Sequence, residues 1–225
     1  MNSIEVKIGK VIRDLNPLVT LGIIEGKVTN SSYNAELWNE IQNSTTHIRQ
    51  SLSFEAIKDQ PQVAATRKMY SLCGKDPSRY RPSAEALMRR IVKGQDLYQI
   101  NTLVDIINLV SLKTGFSIGG FDAAYIEGTV ELSMGRADEI YNGIGRGLLN
   151  IENLPVLRDS KGPIGNPTSD EERTSIRPET THILWVIYAF AGTEHLQQAM
   201  DYACDMLKLH AGAGTMKQDL SASQT

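Results

Sequence analysis

Three polar residues interrupt an otherwise apolar run between Leu103 and Leu112: Asp105, Asn108 and Ser111. Their three-residue spacing puts them on one face of a helix. Leu103, Val104, Ile106, Ile107, Leu109, Val110 and Leu112 cover nearly all the rest of that helix, so it is buried on most sides. Its polar face must then find partners or line a cavity, and it is the first place to look for a site. Directly after it, Gly115-Phe116-Ser117-Ile118-Gly119 matches the G-x-S-x-G elbow, in which glycines allow a sharp turn that presents a nucleophilic serine. An elbow needs a strand before it and a helix after it. Here a long helix precedes and turn-rich sequence follows, so Ser117 is read as part of a loop closing that helix. A second unusual block runs from Asp159 through Gly162-Pro163-Ile164-Gly165-Asn166-Pro167 to Arg173-Thr174 and Thr180-Thr181. Its Asp-x-x-Gly start suits a tight turn, and on residues alone the block reads as a solvated loop able to carry a site.

Other chemistries lack their residues. Gly9-Lys10, Gly26-Lys27 and Gly74-Lys75 are each followed by something other than Ser or Thr, which removes the phosphate-cradling loop. In Gly143-Ile144-Gly145-Arg146-Gly147 the third glycine falls one position too early for a dinucleotide fingerprint, leaving a turn. His47, His182, His195 and His210 form no pair at helical spacing, so neither a metal nor a cofactor is expected. Cys73 and Cys204 stand 131 positions apart and read as small core residues. With 23 Lys plus Arg against 26 Asp plus Glu, the 225-residue chain carries a formal charge of -3, which excludes a polybasic nucleic-acid binder. The longest apolar stretch, Ile183 to Ala191, is far short of the roughly 20 residues that cross a bilayer. The opening Met1-Asn2-Ser3-Ile4-Glu5 lacks the pattern of a signal peptide, so the expected location is cytoplasmic with no membrane partner.

The elements that must position these residues follow from periodicity. Ile4, Val6 and Ile8 alternate as a strand, and Leu18 to Val28 supplies a second. Trp38, Ile41, Thr45, Ile48 and Leu52 give one face of a helix starting near Asn34. Pro61 opens another, closed by Gly74, and a connector over 76–82 leads to a helix with Ala84, Leu87, Met88 and Ile91 inward, ended by Gly94. Asn101 caps the apolar helix. Beyond Gly115, short apolar runs at Val130 to Met134, Val156-Leu157 and Ile183 to Phe190 predict a strand-rich half. Thr193 is expected to cap a last helix to Leu209, and the small polar tail over 212–225 is expected to be disordered.

At this point two blocks resemble the B3/B4 editing domain of the bacterial phenylalanyl-tRNA synthetase beta chain. One is Ser83 to Arg90 leading to Ile100-Asn101-Thr102-Leu103-Val104-Asp105-Ile106-Ile107-Asn108, then Gly115 and Gly120-Phe121-Asp122. The other is Arg158-Asp159-Ser160-Lys161-Gly162-Pro163-Ile164 with Glu172-Arg173-Thr174-Ser175-Ile176 and Glu179-Thr180-Thr181. The resemblance covers roughly residues 75 to 190 and is specific in its spacing. It implies a compact α+β fold, an α/β layered sandwich with helices packed on a mainly antiparallel sheet. The division it suggests is an N-terminal segment over 1–75, an editing and tRNA-binding domain over 76–211 and the tail over 212–225.

The implied activity is hydrolysis of wrongly attached amino acids from tRNA, acting in trans without the synthetase's own catalytic site. The implied partners are an aminoacyl-tRNA or tRNA and a small-molecule amino acid. Asn108 matches the family's pocket asparagine, while the pocket histidine aligns with Gly119 and the glutamate that reads a tyrosine hydroxyl aligns with Val186. The expected ligand-binding residues are therefore Asn108, Gly119, Gly120, Phe121, Arg173 and Thr174, with backbone amides near Gly119-Gly120 facing the reacting ester and no side-chain nucleophile assigned. Arg79, Arg81, Arg89, Arg90 and Lys93 form a basic strip able to meet a tRNA backbone. A non-catalytic module for tRNA or an amino acid is the second reading, and a serine hydrolase built on Ser117 the third.

Overall fold

A computed structural model of the chain describes residues 3–222. In chain order the elements are β1 (Val6–Ile8), α1 (Lys10–Leu15), β2 (Thr20–Lys27), α2 (Ala35–Ser51), α3 (Pro61–Leu72), α4 (Ser83–Val92), α5 (Thr102–Thr114), β3 (Ile118–Asp122), β4 (Val130–Met134), β5 (Asn142–Gly143), β6 (Gly147–Leu148), β7 (Pro155–Asp159), β8 (Gly162–Asn166), β9 (Ser169–Asp170), β10 (His182–Ala189), α6 (Leu196–His210) and β11 (Lys217–Ala222). The local rules read from sequence operate at several ends. The Asn34 and Asn101 side chains accept from the amides of Leu37 and Val104 and cap α2 and α5. Pro61 opens α3, and Gly115 ends α5 in the left-handed conformation at φ 76°, which only glycine adopts without strain.

Two sheets and one helical layer stack into the α+β sandwich. One large sheet has the order β11-β2-β10-β3 and is antiparallel throughout; the other, β1-β4-β7-β8-β9, is antiparallel except for the β1–β4 pair, and β5 with β6 forms a separate two-stranded antiparallel pair. Along β10 the residues alternate between two cores. Ile183, Trp185 and Ile187 pack among the apolar faces of α2, α4, α5 and α6. Leu184, Val186 and Tyr188 pack against Val130, Leu132, Leu157 and Ile164 of the second sheet. Burial on both faces accounts for the unbroken apolar run in this strand.

Three expectations give way. Residues 217–222, expected within a disordered tail, form β11 and pair with β2 from Lys217 opposite Glu25 to Ala222 opposite Thr20; residues 223–225 lie outside the described residues. Their polar composition suits an exposed edge strand, whose stability comes from backbone pairing instead of apolar burial. The block after Asp159 is not a solvated loop, because β8 lies inside the second sheet with Ile164 and Asn166 buried. The last helix is preceded not by a Thr193 side-chain cap but by His195 in left-handed conformation at φ 61°, with the Thr193 carbonyl accepting from Leu196.

The helical layer is tied to α3 by a buried charge. Glu85 of α4 is fully buried and accepts from Arg67 of α3 at 3.0 Å and from Arg89 one turn along at 2.7 Å. Two guanidinium groups offset the desolvation of one carboxylate, an arrangement that breaks badly if only one side is removed. Replacing Arg67 and Arg89 together by Ala strands the carboxylate and is expected to cost about 3–5 kcal/mol in urea unfolding, whereas either single replacement leaves a partner in place and costs less.

Candidate functional site

The candidate site is built around β3, an edge strand that pairs along its length with β10 and meets Ser175 through a single bridge at Phe121. Gly119 lies opposite Val186 and Gly120 opposite Trp185. The two positions where the resemblance expects a histidine and a glutamate are thus direct cross-strand partners, and both face the core between the sheets. Successive strand residues point to opposite faces, so the two adjacent glycines open to different layers. On the inter-sheet side, a Cβ at Gly119 would come 2.7 Å from Phe121 Cζ and 3.1 Å from the Tyr188 hydroxyl, and the Phe121 ring also reaches over Gly165. On the helical side, a Cβ at Gly120 would overlap Ile107 Cδ1 and meet Ile176 Cδ1 at 3.2 Å, with Trp185 Nε1 at 3.6 Å. The diglycine therefore lets two side-chain layers close on the strand.

Asn108 follows Ile107 on α5, is half-buried, and its side chain has no hydrogen-bond partner among the described residues. Asp105 on the same polar face is already engaged: it accepts from Trp38 Nε1 at 2.8 Å and from the Ile100 amide at 3.1 Å, and burial pushes its pKa up. The outward amide of Gly120 donates to Asp170 Oδ2 at 3.0 Å. That bond couples β3 of one sheet to β9 of the other and occupies an amide expected to face an ester. Asp170 is half-buried as a residue, yet desolvation of its carboxyl outweighs the single hydrogen bond from Gly120 and pushes its pKa up to about 7. A carboxyl balanced near neutrality is able to take and return a proton.

Three buried polar atoms near this strand find no partner among the described residues: Thr174 Oγ1, Trp185 Nε1 and the Tyr188 hydroxyl. Leaving such a group unpaired costs roughly 1–3 kcal/mol, so several around one strand mark a place where hydrogen-bonding capacity is held in reserve. Burial, with the Asp170 carboxylate adding, keeps the Tyr188 hydroxyl protonated and able to donate. Thr174 precedes Ser175, which bridges to Phe121 of β3.

The remaining expected residues have other partners. Arg173 donates to both oxygens of Asp159, at 3.1 and 2.9 Å, and to the Tyr125 carbonyl at 3.1 Å. Burial alone would raise Asp159, but Arg173 and the amides of Glu127 and Lys161 outweigh it and hold the carboxyl below its usual range. Arg173 thereby clamps the β7–β8 turn. Within the basic strip, Arg89 serves Glu85 and stacks on Phe54, Arg90 stacks on Tyr98 with 3.9 Å to the ring centre, and Lys93 lies 5.4 Å from Phe54. Arg79 and Arg81 are exposed in the connector before α4.

No nucleophile is presented at β3. Ser117 is buried, with its hydroxyl 3.4 Å from the Ala84 amide, and the order of elements around it is helix then strand, the reverse of an elbow. Burial pushes the Cys73 thiol up to about 11 and raises Cys204 as well, so both stay protonated. Among the described residues no three His, Cys, Asp or Glu side chains converge as a metal-ligand set, and no helix is long and apolar enough to cross a membrane. Asp170, Trp185 and Tyr188 were not singled out from sequence. Asp170 sits in the block after Asp159, hidden by the loop reading, and the two aromatic residues are indistinguishable in sequence from the core residues beside them.

Comparison with known proteins adds a family. A solved N-terminal fragment of the phenylalanyl-tRNA synthetase beta-subunit from Pyrococcus horikoshii is similar over 98% of this chain at 13% identity and a TM-score of 0.46. The chain spans about half of that structure, 51% of its length. A search of curated proteins finds no match. The family model of the B3/4 domain matches residues 65–212, a span that begins within α3 and runs through α6, taking in both glycines of β3, Asn108 and Asp170. The chain belongs to the B3/4 domain family.

Proposed function

We propose that this chain binds the aminoacyl end of a tRNA at β3 and hydrolyses the ester by water attack, an editing-type reaction carried out in trans. The observation that carries the reading is the Asp170 carboxyl, held at a pKa of about 7 within hydrogen-bond distance of the diglycine strand. In this reaction Asp170 takes a proton as water adds to the ester carbonyl, and the proton returns to the departing ribose oxygen, giving free amino acid and tRNA. The Tyr188 hydroxyl, on the inter-sheet side with Gly119, is a donor with spare capacity for the developing oxyanion, whereas Trp185 Nε1 lies on the opposite, helical side of the strand. Asn108 orients the ligand from α5. With Gly119 and Val186 in register on an apolar face, preference for a tyrosine hydroxyl is lost, and a smaller or more apolar amino acid fits better. A second reading, a module that retains aminoacyl-tRNA without cleaving it, is favoured by Ile107 and Ile176 covering Gly120.

Release of amino acid from correctly and wrongly charged tRNAs, with the protein substoichiometric, separates the two. Turnover on one mischarged species that falls at least tenfold in Asp170→Asn and in Asn108→Ala supports hydrolysis; retention of charged tRNA with no release supports the module. The wild-type rate is expected to rise with pH and level off above about 7, as Asp170 ionises. Stability moves the other way. The folded pKa lies above the unfolded value, so the folded state holds more protons between about pH 4 and 7 and stability falls as pH rises through that window. Both slopes should flatten in Asp170→Asn, measured by pH-rate profile and by thermal unfolding.

The basic strip acts unevenly in the same scheme. Ala at Arg79, Arg81 or Arg90 is expected to weaken tRNA binding and to lower the slope of log affinity against log salt by about 0.7–0.9 for each phosphate no longer neutralised. Ala at Arg89 is expected to lower stability first, because its charge already serves Glu85. Filter binding across a salt series, beside thermal unfolding, checks both.

A further inference from the structure

We propose a second ligand site, remote from β3, in a groove on the helical layer that accepts a small organic anion with an apolar body. Two adjoining cavities, of about 310 and about 440 Å³, share Gln60, Met88, Leu112 and Lys113 as common walls. They form one groove, with His47 of α2 at one end and His195 before α6 at the other. The combined space is in the range of small-molecule sites.

The chemistry of the walls selects the ligand. Among the described residues no carboxylate lines either cavity; the nearest in sequence are Asp59, beside Gln60, and Glu194, whose Oε1 lies 3.4 Å from His195 Nε2 at the end of the groove away from His47. Lys113 sits in the last turn of α5, where the helix dipole by itself favours a cation, but its ammonium makes no ion pair or hydrogen bond with any described residue. The Gln60 carboxamide is likewise without a partner, so donors meet above a floor of Met88 and Leu112. A carboxylate or phosphate on Lys113 with hydrocarbon lying over Met88 and Leu112 satisfies both halves of the groove; a cation satisfies neither. None of these residues belongs to the β3 site, so this inference stands apart from the editing reading.

The test is titration of the isotope-labelled full chain, followed by amide NMR, with hexanoate, phenyl phosphate, inorganic phosphate and hexylammonium. Hexanoate and phenyl phosphate are expected to shift signals along the groove, including Lys113 and Gln198, at millimolar concentration. Lys113→Met should weaken both about fivefold or more, and Lys113→Arg should restore binding, with native spectra in both variants. Which of the two anions binds more tightly separates carboxylate from phosphate ligands. Equal shifts from hexylammonium, or unchanged affinity in Lys113→Met, would overturn the proposal. Inorganic phosphate matching phenyl phosphate would reduce the site to an adventitious ion only. The Asp170→Asn variant should bind these anions as the wild type does; loss of the shifts there would place them at β3 and also overturn it.

Discussion

β10 has no face left for water, and this constraint organises the molecule. Beyond His182, its odd-numbered residues from Ile183 to Ala189 complete the core under the helices and Leu184, Val186 and Tyr188 complete the core between the sheets. A strand in this position requires both layers to be present before its apolar area is removed from water, which links the folding of the helical layer to that of the second sheet. It also fixes register. A slip by one residue would exchange Trp185 with Val186 and send each into a space shaped for the other.

The diglycine of β3 inherits its character from that strand. Because β10 presents Trp185 on one side and Val186 with Tyr188 on the other, the neighbouring strand must be thin where these side chains, Ile107 and Phe121 converge. Glycine supplies thinness twice in succession, and the exposed edge amide that results is taken by Asp170 from the opposite sheet. The bond between sheets comes with a desolvated carboxyl, and the same desolvation brings that carboxyl into the range where it exchanges protons near neutrality. The inter-sheet bond and the raised proton affinity of Asp170 therefore have one physical origin.

Much of this was legible in the residues. Strong periodicity and caps placed α2 to α5, and the run from Ile183 marked β10, because local signals and tertiary burial agree there. The two spaced blocks, Ser83 to Asp122 and Arg158 to Thr181, together indicated the B3/4 family. Two of the three failures share a cause, since β8 and β11 are held by pairing to other strands and their own composition reads as turn or tail. The family pattern drew attention to Asn108 and the diglycine as expected ligand contacts. It did not reach Asp170, because its altered proton affinity arises from groups brought together only by the stacking of two sheets.

The late strand β11 also brings distant parts of the chain together. Lys217, at its start, donates to the Ser3 hydroxyl at 2.6 Å, while Ser3 and the Ile4 amide hold Glu25 of β2. Residues 214 positions apart thus meet at one margin of the sheet. Because β1 and β11 are outer strands of different sheets, this polar clasp joins the two sheets at one margin. It lies at the opposite edge from β3, so the two sheets are fastened at both margins, by the Ser3–Glu25–Lys217 group on one side and by the Gly120–Asp170 bond on the other.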